Sequence, residues 1–265
     1  MQALAAMPAS VAAGIRIVLS DIDDTITSDG RLTADAYAAL ERLSDAGILV
    51  IPITGRPAGW CDHIARMWPV HAVVGENGAF YFSYDRQARR MTSRYWADAN
   101  ERQHNRQKLN DIRDRVLAEV PGTALASDQD YRVADLAIDF CEDVPALGDD
   151  AVNQIVSIFE DAGAQAKVSS IHVNGWFGDY DKLSMTRTLF SDMLGADTNE
   201  LADAALFIGD SPNDAPMFGH FPISVGVANI QSQLHRLEHQ PAYVAQGHGG
   251  AGFVEMANHL LAARA

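Results

Sequence analysis

IRIVLSDIDDTIT, residues 15–27, decides how the rest of the chain is read. It begins as a short apolar run, Ile15, Ile17, Val18 and Leu19, of the kind that forms a buried strand in a parallel sheet. It ends in three carboxylates within four positions, Asp21, Asp23 and Asp24. Clustered like charges raise one another's pKa and repel, so stability alone does not explain them. A cation among them would. Ligands of open α/β sheets bind beyond the carboxyl ends of the strands. The stretch therefore predicts an acidic, metal-binding site at the end of the first core strand.

Outward from there, the pattern alternates. Thr33 is placed to cap a helix over residues 33–46, with Tyr37, Leu40 and Leu43 on its apolar face. A second buried strand over 48–53 ends in Thr54-Gly55-Arg56-Pro57, and Pro57 suits the first turn of a helix reaching residue 68. A third short strand, 72–74, is closed by Gly75-Glu76-Asn77-Gly78. This rhythm predicts a Rossmann-like, doubly wound parallel sheet. From about residue 79 it changes to a hairpin (79–84 and 91–96), a charged helix over 100–120 with Leu109, Ile112, Val116 and Leu117 on one face, a strand over 133–140, a helix over 149–162 and strand material over 167–177. It returns with a helix over 182–194, a strand over 205–208 ending in Gly209-Asp210-Ser211-Pro212-Asn213-Asp214, short strands near 223–227 and 242–244, and a last helix over 252–263. The expected fold is thus an α/β core, residues 1–82 and 180–265, interrupted by an inserted α+β domain over 83–179. Residues 1–14 read as a loosely ordered extension.

Bulk properties narrow the function. The 265 residues suffice for a core plus an insert, and a hydrophobic share of 48% can fill both. A formal net charge of −15 opposes binding to nucleic acid or to an anionic membrane, though not to a small anion beside a bound cation. No apolar run is long enough to span a bilayer, and the Ala-rich start lacks the basic and apolar segments of a signal peptide. The two cysteines, Cys61 and Cys141, have no ligand-spaced partners and read as free thiols of a reducing compartment. The expected location is the cytoplasm. Oligomeric state is not legible.

Four clusters stand at strand ends or a helix start: Asp21/Asp23, Thr54, Lys182 and Asp210/Asn213/Asp214. A parallel sheet brings such ends together. Oxygen ligands suited to Mg²⁺, a cation and a hydroxyl beside a glycine are the parts of phosphoryl transfer. With these motifs, DIDDT from Asp21, ITGRP around Thr54, DYDKLSM around Lys182 and FIGDSPND around Asp210 and Asp214, the chain resembles the haloacid dehalogenase superfamily of phosphohydrolases. The placement of the insert resembles the larger α/β cap of its Cof-like, sugar-phosphatase branch.

The resemblance implies roles. Asp21 would be the nucleophile forming an aspartyl phosphate, and Asp23 the acid and then the base. Thr54, with Gly55 and Asn77 near it, would bind substrate. Lys182 would hold the charges of Asp21 and phosphate together. Asp21, Asp23 (through its backbone carbonyl), Asp210 and Asp214 form the implied Mg²⁺ set, with Asp214 and Asn213 behind the ion or orienting Lys182. The implied activity is hydrolysis of a small phosphorylated metabolite such as a sugar phosphate. A carboxylic acid at residue 23 favours an alkoxide leaving group and hence a phosphatase. Asp24 stands where many relatives carry glycine, so the turn there must tolerate Asp in a left-handed conformation. Two rival readings are a sugar phosphomutase and a signalling module phosphorylated on Asp21 without turnover. Taken singly, Thr54 would be a helix cap and Lys182 a solvated residue; Arg56 reads either as a phosphate contact or as a surface residue and stays outside the catalytic set. In the insert, His172, Asn174 and Trp176 alternate on one strand face, more in keeping with a sheet face than with a substrate contact. Arg132 reads equally as an anion contact or a surface charge. The glycines of residues 247–252 lack the lysine of a phosphate loop and read as a turn into the last helix.

Overall fold

A computed structural model describes residues 1–264 of the chain. The first part carries β1 (Gln2–Ala3), α1 (Ala9–Gly14), β2 (Ile17–Ser20), α2 (Ala34–Asp45), β3 (Leu49–Pro52), α3 (Ala58–Met67) and β4 (Val73–Gly75). The hairpin β5 (Phe80–Asp85) and β6 (Arg90–Tyr95) leads to α4 (Ala99–Glu119), β7 (Ala124–Leu125), β8 (Leu136–Asp139), α5 (Asp149–Asp161), β9 (Gln165–Val168) and β10 (His172–Trp176). The chain closes with α6 (Lys182–Leu194), β11 (Ala205–Gly209), α7 (Ala215–His220), β12 (Ser224–Gly226), β13 (Tyr243–Val244) and α8 (Gly250–Ala262).

Six strands form a parallel sheet in the order β1-β13-β12-β11-β2-β3. β2, paired on both sides by β11 and β3, is buried at all four residues, as its apolar run Ile17-Val18-Leu19 requires. Register fixes the site: Ser20 lies opposite Ile208 on one side and Pro52 on the other, so Asp21, Ile53-Thr54 and Gly209-Asp210 leave the sheet at the same end. Thr33 caps α2 by accepting the Ala36 N–H, and Gly195 ends α6 at φ 64°, where a side chain would be strained.

Three findings revise the reading. Residues 1–14 are not loose: β1 pairs with β13, and Leu4, Met7 and Ala12 are buried in the core. The third strand joins the parallel sheet only through the Ile53–Val74 bridge, and instead heads an antiparallel sheet β4-β5-β6. The expected boundary between residues 82 and 83 crosses this hairpin. Leu117 is exposed, whereas Leu109, Ile112 and Val116 pack with Val152, Ile155 and Phe159 of α5.

The insert folds around an antiparallel sheet β7-β8-β10-β9 that shares an apolar core with α4 and α5. This is the α+β cap expected for the fold class. Entry and exit of the insert pass side by side. Gly78 has φ 111°, and a Cβ there would sit 2.0 Å from the carbonyl oxygen of Asp181. Only glycine allows that approach.

Candidate active site

At the carboxyl end of β2, Lys182 Nζ donates to Asp21 Oδ1 at 2.8 Å and to Asp214 Oδ1 at 2.7 Å. All three are buried. Lys182 is the first residue of α6, whose capping box (Asp181 with Ser184) fixes where the helix starts. Asp214 Oδ2 accepts the backbone N–H groups of Asp210 and Ser211 at 3.0 and 3.2 Å. Both its oxygens are thereby engaged, and it holds the loop and the lysine together. Asp210 Oδ1 accepts from Thr25 and Oδ2 from Asn229 Nδ2 at 2.9 Å. Asn229 also donates to the Asp24 carbonyl, tying the turn after β2 to the loop after β11. Asp24 itself has φ 53°, the left-handed geometry anticipated for that position.

Electrostatics argue for a cation. Burial pushes Asp21 up to about 7, with Asp214 and Asp23 adding to the effect and Lys182 opposing it. Burial, with Asp21 and Asp214 next, also lifts Asp210 well above the usual carboxylate range. Lys182 is held charged by its two carboxylates against the cost of burial. Asp21, Asp210 and Asp214 lie close enough to share one ion. Three carboxylates against one ammonium leave two excess negative charges when all are ionised, which a divalent cation would cancel. The donor set, all carboxylate oxygen, fits Mg²⁺.

Beside this group lie Thr54, Gly55 and Asn77, the residues expected to bind substrate. Thr54 Oγ1 accepts the Arg56 N–H, leaving its own hydroxyl proton to donate. Asn77, at φ 54°, accepts from Asn213 through Oδ1, and its buried Nδ2 has no partner. Gly55 permits this placement, since a Cβ there would come within 3.1 Å of Asn77 Nδ2. An unpaired buried amide donor beside a hydroxyl and an ammonium suits an oxyanion.

The Asp23 carboxylate lines the same cleft as Asp21. It receives Arg56 Nε and Nη2, and Arg56 also donates to Glu142 at 2.7 Å and to Asp128 at 3.3 Å. Arg56 is no surface charge: it is 4% exposed, and its guanidinium stacks 4.4 Å from the Trp60 ring. Arg132 is likewise buried, bound to Asp128, Asp135 and the Gly55 carbonyl, so it is not free to meet an anion. His172 and Asn174 line the cleft opposite Asp21 with Ser169, Ser170 and Asn213. Asn174 donates to Asp135, and His172 Nε2 lies 2.9 Å from Glu142 but out of line for a hydrogen bond. Trp176 turns to the Tyr180 carbonyl instead. The glycines before α8 form a turn, as expected, and their N–H groups bind Asn229, Thr27 and Ser28 of the site's loops.

Sequence reading missed Arg56, Glu76 and Asn229. Glu76 is fully buried, and its carboxylate accepts N–H groups from Ala58, Val133, Ala134 and Asp135. A glutamate in a glycine-flanked turn is the only hint the sequence offered. The segment holding Asn229 carries none.

Residues 18–106 match the haloacid dehalogenase-like hydrolase family. No curated protein matches the chain. Among solved structures, protein 0175 of Thermoplasma acidophilum is similar at 18% identity and TM-score 0.69, over 93% of this chain and 98% of that one. A Plasmodium vivax protein described as a HAD/COF-like hydrolase is similar at 15% identity and TM-score 0.67, over 96% and 99%. Sucrose-phosphatase from Synechocystis, solved with sucrose and phosphate, is similar at 18% identity and TM-score 0.60, over 92% and 97%. The family match covers residues 18–106, and the likeness to these structures over nearly the whole chain is one of fold.

Proposed function

We propose that the chain is a Mg²⁺-dependent phosphatase of small phosphomonoesters, with a sugar phosphate or similar metabolite as substrate. The convergence of Asp21, Lys182, Asp210 and the Thr54–Gly55–Asn77 cradle at one end of the sheet carries this reading. The likeness in fold to sucrose-phosphatase adds support.

In the first step an Asp21 oxygen forms a bond to phosphorus while the bond from phosphorus to the alcohol oxygen breaks. Asp23, protonated, gives its proton to the departing alkoxide. In the second step Asp23 takes a proton from water as the water oxygen bonds to phosphorus. The bond to Asp21 breaks, releasing phosphate and restoring the nucleophile. Thr54, Asn77 and Lys182 hold the phosphoryl oxygens and their developing charge. Asp21 and Asp210, with the backbone carbonyl of Asp23, would hold Mg²⁺, and Asp214 keeps Lys182 and the loop in place. The ion supplies charge neutralisation at the phosphoryl group. At ~4 Å and an effective dielectric of ~20, the Lys182 contact with a charged oxygen is worth roughly 4 kcal/mol before desolvation.

The insert, residues 83–179 on the sequence reading, serves as a cap that closes the site to water. The space directly above Asp21 has a volume of about 10 Å³, and a cavity of about 320 Å³ adjoins it along Asp23, Arg56, Ser170 and Ile171. Cap movement would widen the space above Asp21 for an ester.

Phosphate release from a panel of phosphorylated metabolites, with Mg²⁺ and with EDTA, is the test. Metal-dependent release that vanishes in Asp21→Asn supports the assignment. Retained turnover in that variant overturns it.

A further inference from the structure

Arg56 stands where the core and the cap meet over Asp23. On the core side its Nε and Nη2 reach Asp23 at 2.8–3.0 Å. On the cap side Nη2 reaches Glu142 at 2.7 Å, and Nη1 reaches Asp128 at 3.3 Å. The Trp60 ring covers one guanidinium face. Every nitrogen is used, and Arg56 is the one cation that Asp23 contacts among the described residues. A planar fork with five donors can join three carboxylates, which a lysine ammonium on a flexible stem cannot do in the same geometry.

We propose that Arg56 is a positioning residue that aligns the Asp23 carboxyl only while the cap is closed, with Glu142 as the cap contact that locks it. When the cap lifts, Glu142 leaves and the guanidinium loses the partner that fixes its plane. Asp23 is then free to turn away from the phosphoryl site. Proton transfer is thereby confined to the enclosed complex, and an open site with bulk water present has a misaligned acid and base. Glu142 is suited to a reversible contact. It sits at the rim with a quarter of its side chain exposed, whereas Arg56 is buried. The inference rests on the phosphatase reading for the role of Asp23, but the coupling of Arg56 to Glu142 does not.

The experiment takes the full chain with Mg²⁺ and compares Arg56→Ala, Arg56→Lys, Glu142→Gln and the Arg56→Ala/Glu142→Gln double variant. Arg56→Ala should lower kcat by about 10²-fold, in the range typical of a displaced acid–base group, with KM changed by less than about threefold. Added guanidinium should restore part of that loss, and methylammonium should not. Arg56→Lys should recover little. Glu142→Gln should lower kcat by about tenfold in the parent and by less than about twofold once Arg56 is gone. The proposal is overturned by a wild-type kcat in Arg56→Ala. Loss without guanidinium rescue, or additive effects of the two substitutions, also overturns it. If the parent releases no phosphate from any panel member, the phosphatase reading falls, and amide exchange decides the latch. Arg56→Ala and Glu142→Gln should then each speed exchange in the facing 169–174 segment of the cap, and the double variant should exchange no faster than either. Unchanged exchange would refute the latch.

Discussion

The cap meets the core along two seams of different construction. At one seam Glu76, at the end of β4, receives three consecutive backbone N–H groups from residues 133–135 and a fourth from Ala58. Arg132 binds the Gly55 carbonyl beside it and is locked by Asp128 and Asp135. Backbone groups make most of these core-to-cap contacts, and the side chains involved are buried. At the other seam side chain meets side chain: Arg56 with Glu142, at a partly exposed rim. Breaking the first leaves buried donors and charges unsatisfied, at about 1–3 kcal/mol per group. Breaking the second returns a half-wet carboxylate to water. If the cap moves to admit substrate as proposed, it should pivot where separation is costly and open where it is cheap.

The largest effect should fall on the first seam. Glu76→Ala orphans four N–H donors and should cost on the order of 4 kcal/mol in urea unfolding. Arg132→Met strips the cation from buried Asp135 and leaves Asp128 with Arg56 alone, and should cost about 3–5 kcal/mol. A loss under about 1 kcal/mol in both would break the contrast between the seams.

The metal group gives an intermediate effect with a defined sign. Asp21 is raised by burial to about 7 from an ordinary value near 4. In the ion-free protein this costs stability. The group favours the fold below its unfolded value, and that contribution disappears as pH rises through about 7. Mg²⁺ competes with protons for these oxygens, so its stabilisation should grow over the same window. At a hundredfold excess over Kd it should reach about 2.7 kcal/mol near pH 8 and be much smaller near pH 5. Thermal unfolding with and without the ion checks this, and equal shifts at both pH values would argue against carboxylate ligation by Asp21.

The same contrast explains what the sequence disclosed. Asp21, Thr54 and Asp210 terminate apolar strands, and Lys182 opens a capped helix. Local pattern places them, and the parallel register then converges them. Asp24 was legible too, because a left-handed turn favours few side chains. Arg56 was not. In isolation it resembles any charged residue before a helix, and its partners come from residues 128 and 142, whose position depends on how the cap docks. Glu76 was hidden for the same reason: its acceptors are satisfied by backbone more than 50 residues away in sequence. The start of the chain misled because a short Ala-rich segment lacks a periodicity long enough to announce that Leu4 and Met7 would be buried by α8 and its neighbours. Strand-end chemistry is readable from sequence, and seam chemistry is readable only from the docked cap.

The smallest effect should be the stability of the second seam. Contact with His172, with Arg56 adding to it, holds the Glu142 carboxyl down at about 2 despite partial burial. Its contribution is therefore complete above the ordinary value near 4.5 and is lost as pH falls towards 2. A quarter of the side chain faces solvent at the rim, so screening limits its worth, and Glu142→Gln should cost no more than about 1 kcal/mol at pH 7. The difference between variant and parent should shrink between about pH 4.5 and pH 3. Catalysis should respond more than stability does, because a latch shifts which conformation the site occupies without holding the fold together. Urea titrations at the two pH values decide the point. A Glu142→Gln cost as large as that of Glu76→Ala would make both seams structural, and the cap would then need another place to open.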